Sequence, residues 1–203
     1  MLLRHLCISL ATVALLEFTA VAQTTTVNYD AAPGERNIVD SSGNPVPDGN
    51  IVAIGYFTTG FDVVGNASDY TALQSAWHLY GETVIKHLPT PTGEPGRFAG
   101  VSSQNDPSFF PHSIYLWITE TNLSGSVTEY GLFTASGWTF PDPNSVPPTT
   151  TITSDQVDTF RFGNAIAGTP GSLQLAAAVP EPSTLALLGV GAVVGRLYLR
   201  RRR

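Results

Sequence analysis

The sequence predicts a mainly β protein: an antiparallel β-sandwich or jelly-roll-like body with one short helix, plus a single C-terminal transmembrane helix. Three observations predict it. Short runs of β-branched and aromatic residues recur through the middle of the chain, with 50–57 and 113–119 the strongest. The 19 Gly and 15 Pro of the 203 residues fall mostly between those runs, as turn formers do. Only one stretch of the body spaces its apolar residues at helical intervals. Many short strands broken by Gly and Pro turns bury their apolar faces best as packed or rolled sheets.

The chain opens with Arg4 and His5, an apolar stretch over 6–16, and Ala20-Val21-Ala22 ahead of Gln23. That charged, apolar, small-residue order predicts a secretory signal peptide over 1–22, cleaved after Ala22. Cys7, the single cysteine, precedes the apolar stretch and so does not fit a lipoprotein. The mature body then has neither thiol nor disulfide chemistry and must be held by a packed core.

The body is expected over 23–164. Residues 24–48 read as an extended lead-in with turns at 33–34, 43–45 and 47–49. A strong strand follows over 50–57, with a short second one over 61–64. Leu73, Ala76, Trp77, Tyr80, Val84 and Leu88 keep an i, i+3/i+4 rhythm. With Ser68 or Asp69 as the cap and Gly81 as the stop, they predict a helix over 70–80. Pro89, Pro91 and Pro95 make 88–97 a loop, followed by a strand over 97–102 and another loop over 104–112. The central strand 113–119 pairs with 127–134 through a turn at 122–126. Short strands at 138–140, 149–153 and 157–163 complete the body. Small residues with Gly168, Pro170 and Gly171 predict a flexible linker over 165–179. No internal repeat of fixed period is evident.

The tail over 180–203 has its own logic. An apolar run over 185–195 continues around Arg196 into Leu197, Tyr198 and Leu199. As a helix, 185–199 rises about 22 Å at about 1.5 Å per residue. That is short of a hydrocarbon core of about 30 Å, so spanning needs local thinning or snorkelling of Arg196. The block Arg200, Arg201, Arg202 and Arg203 predicts a cytoplasmic C-terminus with the body across the membrane. Ahead of the run, Pro180 and Pro182 fix φ and withdraw two backbone donors, and they push Val179 and Glu181 towards extended conformations. Pro180-Glu181-Pro182 is thus an extended handle beside the membrane.

The order Pro180-Glu181-Pro182, short span, terminal Arg200 to Arg203 block resembles the PEP-CTERM sorting signal of Gram-negative bacteria. The resemblance implies recognition by exosortase, a membrane-embedded protease-transpeptidase that removes the tail. It implies export by the secretion machinery, transient inner-membrane anchoring, and delivery to the cell surface or extracellular matrix. Proteins with this signal are typically associated with exopolysaccharide and biofilm production. The middle of the chain, at Asp48-Gly49, 51–57, 114–117, 131–133 and 138–141, is faintly similar to a region common among such proteins and adds no activity.

Composition narrows the remaining functions. Outside the two terminal segments the body carries four basic residues, Arg36, Lys86, Arg97 and Arg161, against fourteen acidic ones, a formal charge of −10. Such acidity disfavours nucleic acid as a partner, where cationic side chains supply most of the binding. His78, His87 and His112 are dispersed without zinc-ligand spacing. Asp48 with Asn50, and Asp62 with Asn66 and Asp69, are oxygen-rich enough for calcium, but neither matches an EF-hand loop and Asp and Asn beside Gly ordinarily form turns. There is no G-x-S-x-G elbow, so no catalytic or cofactor-binding residue and no resident metal is assigned. Glu120 and Glu129 are placed to oppose one another across the hairpin, a minor glycoside hydrolase-like alternative. Tyr115, Trp77, Trp117 and Trp138 either fill the core or form a sugar-stacking face. The reading is therefore a non-enzymatic surface or matrix protein, structural or adhesive in an exopolysaccharide or biofilm layer, with a carbohydrate-binding module as the main alternative.

Overall fold

The computed structural model describes residues 23–87 and 94–178. The signal peptide with its Ala22 cleavage point, the Pro180-Glu181-Pro182 motif, the apolar run and the Arg200 to Arg203 block lie outside the described residues. Among the described residues no helix is long and apolar enough to cross a membrane.

The described residues are mainly β, with several sheets and one α-helix. In chain order the strands are β1 (Thr25–Ala31), β2 (Asn37–Val39), β3 (Ile51–Phe57), β4 (Trp77–Val84), β5 (Phe98–Gln104) and β6 (Ser113–Thr121). They continue with β7 (Val127–Thr139), β8 (Thr149–Thr153), β9 (Thr159–Phe162), β10 (Asn164–Ile166), β11 (Ser172–Gln174) and β12 (Ala176–Ala177). Helix α1 (Tyr70–Ala76) precedes β4. The largest sheet runs β12-β7-β6-β3-β4, with β9 also on β7; two smaller sheets run β5-β1-β8 and β10-β11-β2.

One apolar core, aliphatic and aromatic together, joins all three sheets. Val27 and Tyr29 of β1, Ile38 of β2, Phe98 of β5, Ile152 of β8 and Leu173 of β11 meet Val52, Ile54, Leu116, Ile118 and Phe133 of the largest sheet. Strand alternation explains which residues enter: on β1, buried and half-buried positions alternate along the whole strand. The β6–β7 hairpin forms as its turn chemistry predicts. Asn122 Oδ1 accepts from the N–H groups of Ser124 and Ser126, both at 3.0 Å, and Gly125 takes φ of 80°, which favours glycine.

Four expectations change. The sheets are not purely antiparallel, since β1 pairs β8 and β2 pairs β11 in parallel. Each such pair joins segments far apart in sequence, which gives room for the crossover that parallel pairing requires. The helix ends at Ala76 rather than at Tyr80, because Trp77 turns extended and the chain pairs with β3. A β-bulge places Tyr80 opposite the step from Ile54 to Gly55, but Tyr80 enters the main core by ordinary alternation, while Trp77 packs on the other side of the sheet; a strand buried on both faces thus mimics a helical rhythm. Residues 61–64 form no strand: 61–62 are irregular and a turn runs over 63–68. Finally, the described part of the expected linker is folded: β10, β11 and β12 occupy it, and Leu173 and Leu175 are 0% and 2% exposed. Its small residues suggested flexibility, but two leucines at period two suffice to dock the segment against Val39, whose carbonyl accepts from the Leu175 N–H at 2.9 Å.

Candidate functional site

The side of the largest sheet turned away from the main core carries a second, aromatic cluster. Alternation along β3, β6 and β7 puts Phe57, Trp117, Tyr130 and Leu132 there, with Trp77 and Tyr115 packed beside them. Helix α1 covers part of this face through Leu73 and Ala76. Asp69 starts the helix, its Oδ1 accepting from the Ala72 N–H at 2.9 Å. The Tyr130 hydroxyl donates to the Ala67 carbonyl at 3.0 Å and ties the preceding loop down. Burial, assisted by the nearby Asp69 and Tyr70, pushes the Tyr130 phenol up to about 12.

Three of the four aromatics singled out from the sequence come together here. Trp77 and Trp117 meet edge to face at 5.1 Å between ring centroids. Phe57 links Trp77 at 5.0 Å to Tyr115 at 5.1 Å. Trp138 does not join them; it lies in the main core and its indole N–H donates to Gln156 Oε1 at 3.0 Å. Tyr70, Phe61 and Phe162 complete the cluster without having been singled out. For Phe57 the signal existed in strand parity, whereas Tyr70 and Phe61 arrive from segments whose docking no local pattern encodes.

A cleft of about 180 Å³ opens at the β3–β4 edge of this cluster, lined by Tyr70, Trp77, Trp117, Leu79, Gln74 and Glu82 among others. Trp77 lies across Gly55, where a Cβ would come within 2.7 Å of the indole and collide with the His78 carbonyl. Leu79 and Ile51 flank the cleft at 46% and 41% exposure. The Trp117 indole N–H is buried and finds no acceptor among the described residues.

Two further hollows are more polar. One of about 230 Å³ is lined by Tyr56, Phe61, His112 and Tyr115 among others. Here Tyr56 is sandwiched between His78 and His112, with centroid separations of 4.5 and 4.1 Å and nearly parallel rings. The other, about 250 Å³, includes Ser136, Trp138, Thr150 and Asp158. Hydrogen bonds from Ser136 and Thr159 hold the Asp158 carboxyl below the usual carboxylate range.

The remaining candidate groups are occupied locally, except Glu120, whose Oε2 is buried with no hydrogen-bond partner among the described residues. Glu120 and Glu129 stand directly opposite in the β6–β7 register. Glu129 accepts from both the backbone N–H and the hydroxyl of Ser41 at 2.6 Å, while burial, with Glu129 and Asp40 nearby, raises the Glu120 carboxyl. Asp48 pairs with His87 at 2.7 Å, and Asn50 Oδ1 accepts from the Thr121 N–H at 2.9 Å. Asp62 accepts from the Gly65 N–H at 2.9 Å in a turn. Among the described residues no three His, Cys, Asp or Glu side chains converge.

A protein-family model described as the PEP-CTERM protein-sorting motif matches residues 178–203. No curated protein and no solved structure matches the chain. The C-terminus therefore carries the signal of an exported protein sorted to the cell surface by exosortase. The match begins on the folded body itself, since the Ala178 N–H donates to the Thr128 carbonyl at 2.8 Å.

Proposed function

We propose that the protein is a non-enzymatic surface or extracellular-matrix component whose β-sandwich-like body acts structurally or adhesively in an exopolysaccharide or biofilm layer. The carrying observation is the sorting motif at 178–203, placed immediately after a folded body. The signal peptide over 1–22 provides export, the C-terminal helix holds the chain transiently in the inner membrane, and processing at Pro180-Glu181-Pro182 frees the body. A carbohydrate-binding role is the second reading, favoured by the partly buried Trp77 and Tyr115 on one sheet face.

Intact-mass measurement on envelope and culture-fluid fractions tests this route. The expected product starts at Gln23 and ends near the Pro180-Glu181-Pro182 unit. Replacing those three residues by alanine should leave the tail attached and the chain in the inner membrane. Normal release of that variant would sink the sorting mechanism, and a wild-type chain that stays full length would sink delivery to the matrix.

A further inference from the structure

We propose that β12 is a latch on exosortase processing: the tail is cut only after residues 176–178 peel from β7, and Leu175 limits the peeling. The latch rests on processing at the motif, as read above. The sorting match begins at residue 178, and that residue is still bonded to the body, its N–H donating to the Thr128 carbonyl at 2.8 Å. Pro180 follows Ala178 by two residues, a reach of no more than ~7 Å at ~3.3–3.6 Å per residue. Strand β12 runs antiparallel to β7, with Ala176 opposite Tyr130 and Ala177 opposite Glu129. The chain therefore leaves the body beside the 122–126 turn of the β6–β7 hairpin. A protease engages extended backbone on both sides of the bond it cuts, and here the upstream side is already paired as a strand.

The chain is held very differently on the two sides of Leu175. Upstream, β11 lies between β10 and β2, and Leu173 and Leu175 are buried in the common core. The Leu175 N–H donates to the Val39 carbonyl and Gln174 Nε2 to the Ser41 carbonyl, both at 2.9 Å. Downstream, β12 is two residues long and sits at an edge of the largest sheet, with β7 as its one strand partner among the described residues. It carries only alanine: Ala176 is half-buried, Ala177 is exposed, and Ala178 after it rests against the outer aromatic cluster. Alanine methyls withdraw little apolar surface from water, so 176–178 open at small cost, whereas opening past Leu175 breaks into the core. Peeling as far as Leu175 lengthens the reach to Pro180 to five residues, ~17 Å fully extended. When opening and closing are faster than cutting, cleavage follows the opened population, so the hold of β12 on β7 sets the rate of sorting.

The test is pulse-chase processing of the full chain in producing cells. Ala177 and Glu129 are register partners, and the adjacent Ala178–Thr128 bond makes theirs a non-hydrogen-bonded pair, in which facing side chains come closest. Ala177→Cys combined with Glu129→Cys therefore suits a disulfide across the latch, in a mature body with no other cysteine. Once oxidised, as thiol alkylation checks, the pair should slow tail removal about tenfold, and dithiothreitol should restore the rate. Gly-Ser-Gly-Ser inserted after Ala178 should speed removal and abolish the effect of the disulfide, because the upstream chain is then free without peeling. Ala176→Pro needs no oxidation: it deletes a backbone donor of β12 outside the matched residues 178–203 and should also speed removal. Unslowed removal in the oxidised pair, or removal that Ala176→Pro does not speed, overturns the latch and leaves the sorting reading intact. Equal slowing with and without the insertion overturns it too, because the disulfide then acts on folding or export. A wild-type chain that keeps its tail while the insertion variant loses it supports the latch and contradicts delivery of the native protein. Tails retained in both overturn processing and latch together.

Discussion

The two faces of the largest sheet are built from the same strands and yet are covered differently. The inward face presents Val52, Ile54, Ile114, Leu116, Ile118 and Phe133, all at 0–1% exposure, against two other sheets. The outward face is aromatic, covered by one seven-residue helix and a loop, and leaves Ile51 and Leu79 uncovered. One face is sealed by long-range strand pairing, the other only by a short docked segment. The first holds most of the fully buried side chains, while the second leaves Trp77 and Tyr115 only partly buried.

That contrast is sharpest for the aliphatic residues. Leu173→Ala, in the segment expected from composition to be a tether, should cost about 2–5 kcal/mol because it opens a cavity in the common core. Leu79→Ala on the outer face should change stability by no more than about 0.5 kcal/mol. Urea unfolding midpoints measure both; equal costs would break the comparison, and a negligible one at Leu173 would restore the tether.

Tryptophan gives a second contrast at smaller scale. Trp138→Phe and Trp117→Phe remove similar ring area, but only the former loses a hydrogen bond, to Gln156. The Trp138 change should therefore cost about 1 kcal/mol more. The outer cover itself depends on the Asp69 cap, and Asp69→Ala should cost about 1 kcal/mol with loss of helix signal by circular dichroism. An unchanged midpoint would mean that the helix is held by Leu73 alone.

The smallest expected effect is a pH dependence. Burial raises the Glu120 carboxyl above its ordinary 4.5, with Glu129 and Asp40 adding to the shift. The folded state therefore favours protonated Glu120. Its favourable contribution is complete below about pH 4.5 and is lost as pH rises through the folded value. Glu120→Gln should stabilise the protein at neutral pH and lose that advantage in acid. A pH-independent difference between the two proteins would contradict the assignment.

Much of the fold was legible locally. The β6–β7 hairpin followed from an Asn-Leu-Ser-Gly-Ser turn between two apolar runs, and β3 from an apolar run bounded by Gly49 and Gly60. The Asp69 cap was readable too, but the helix end was not, because β4 buries Trp77 on one face and Tyr80 on the other and the two together imitate a helical spacing. The candidate cleft was legible only in part. Trp77 and Trp117 stood out as aromatics, yet nothing near Trp138 in sequence reports that its N–H finds Gln156 and its ring the main core.

By itself the sequence determined the address: a sorting motif over 178–203 is a linear signal, complete in the order of its residues. It also determined the mainly β character, because strand alternation and turn chemistry act over a few neighbours. Only the tertiary structure decided which aromatics share an outer cleft and that the segment before the motif is folded. Both depend on strand parity, a bulge and the docking of distant segments, and those are settled by burial across the whole body, not by any residue's near neighbours.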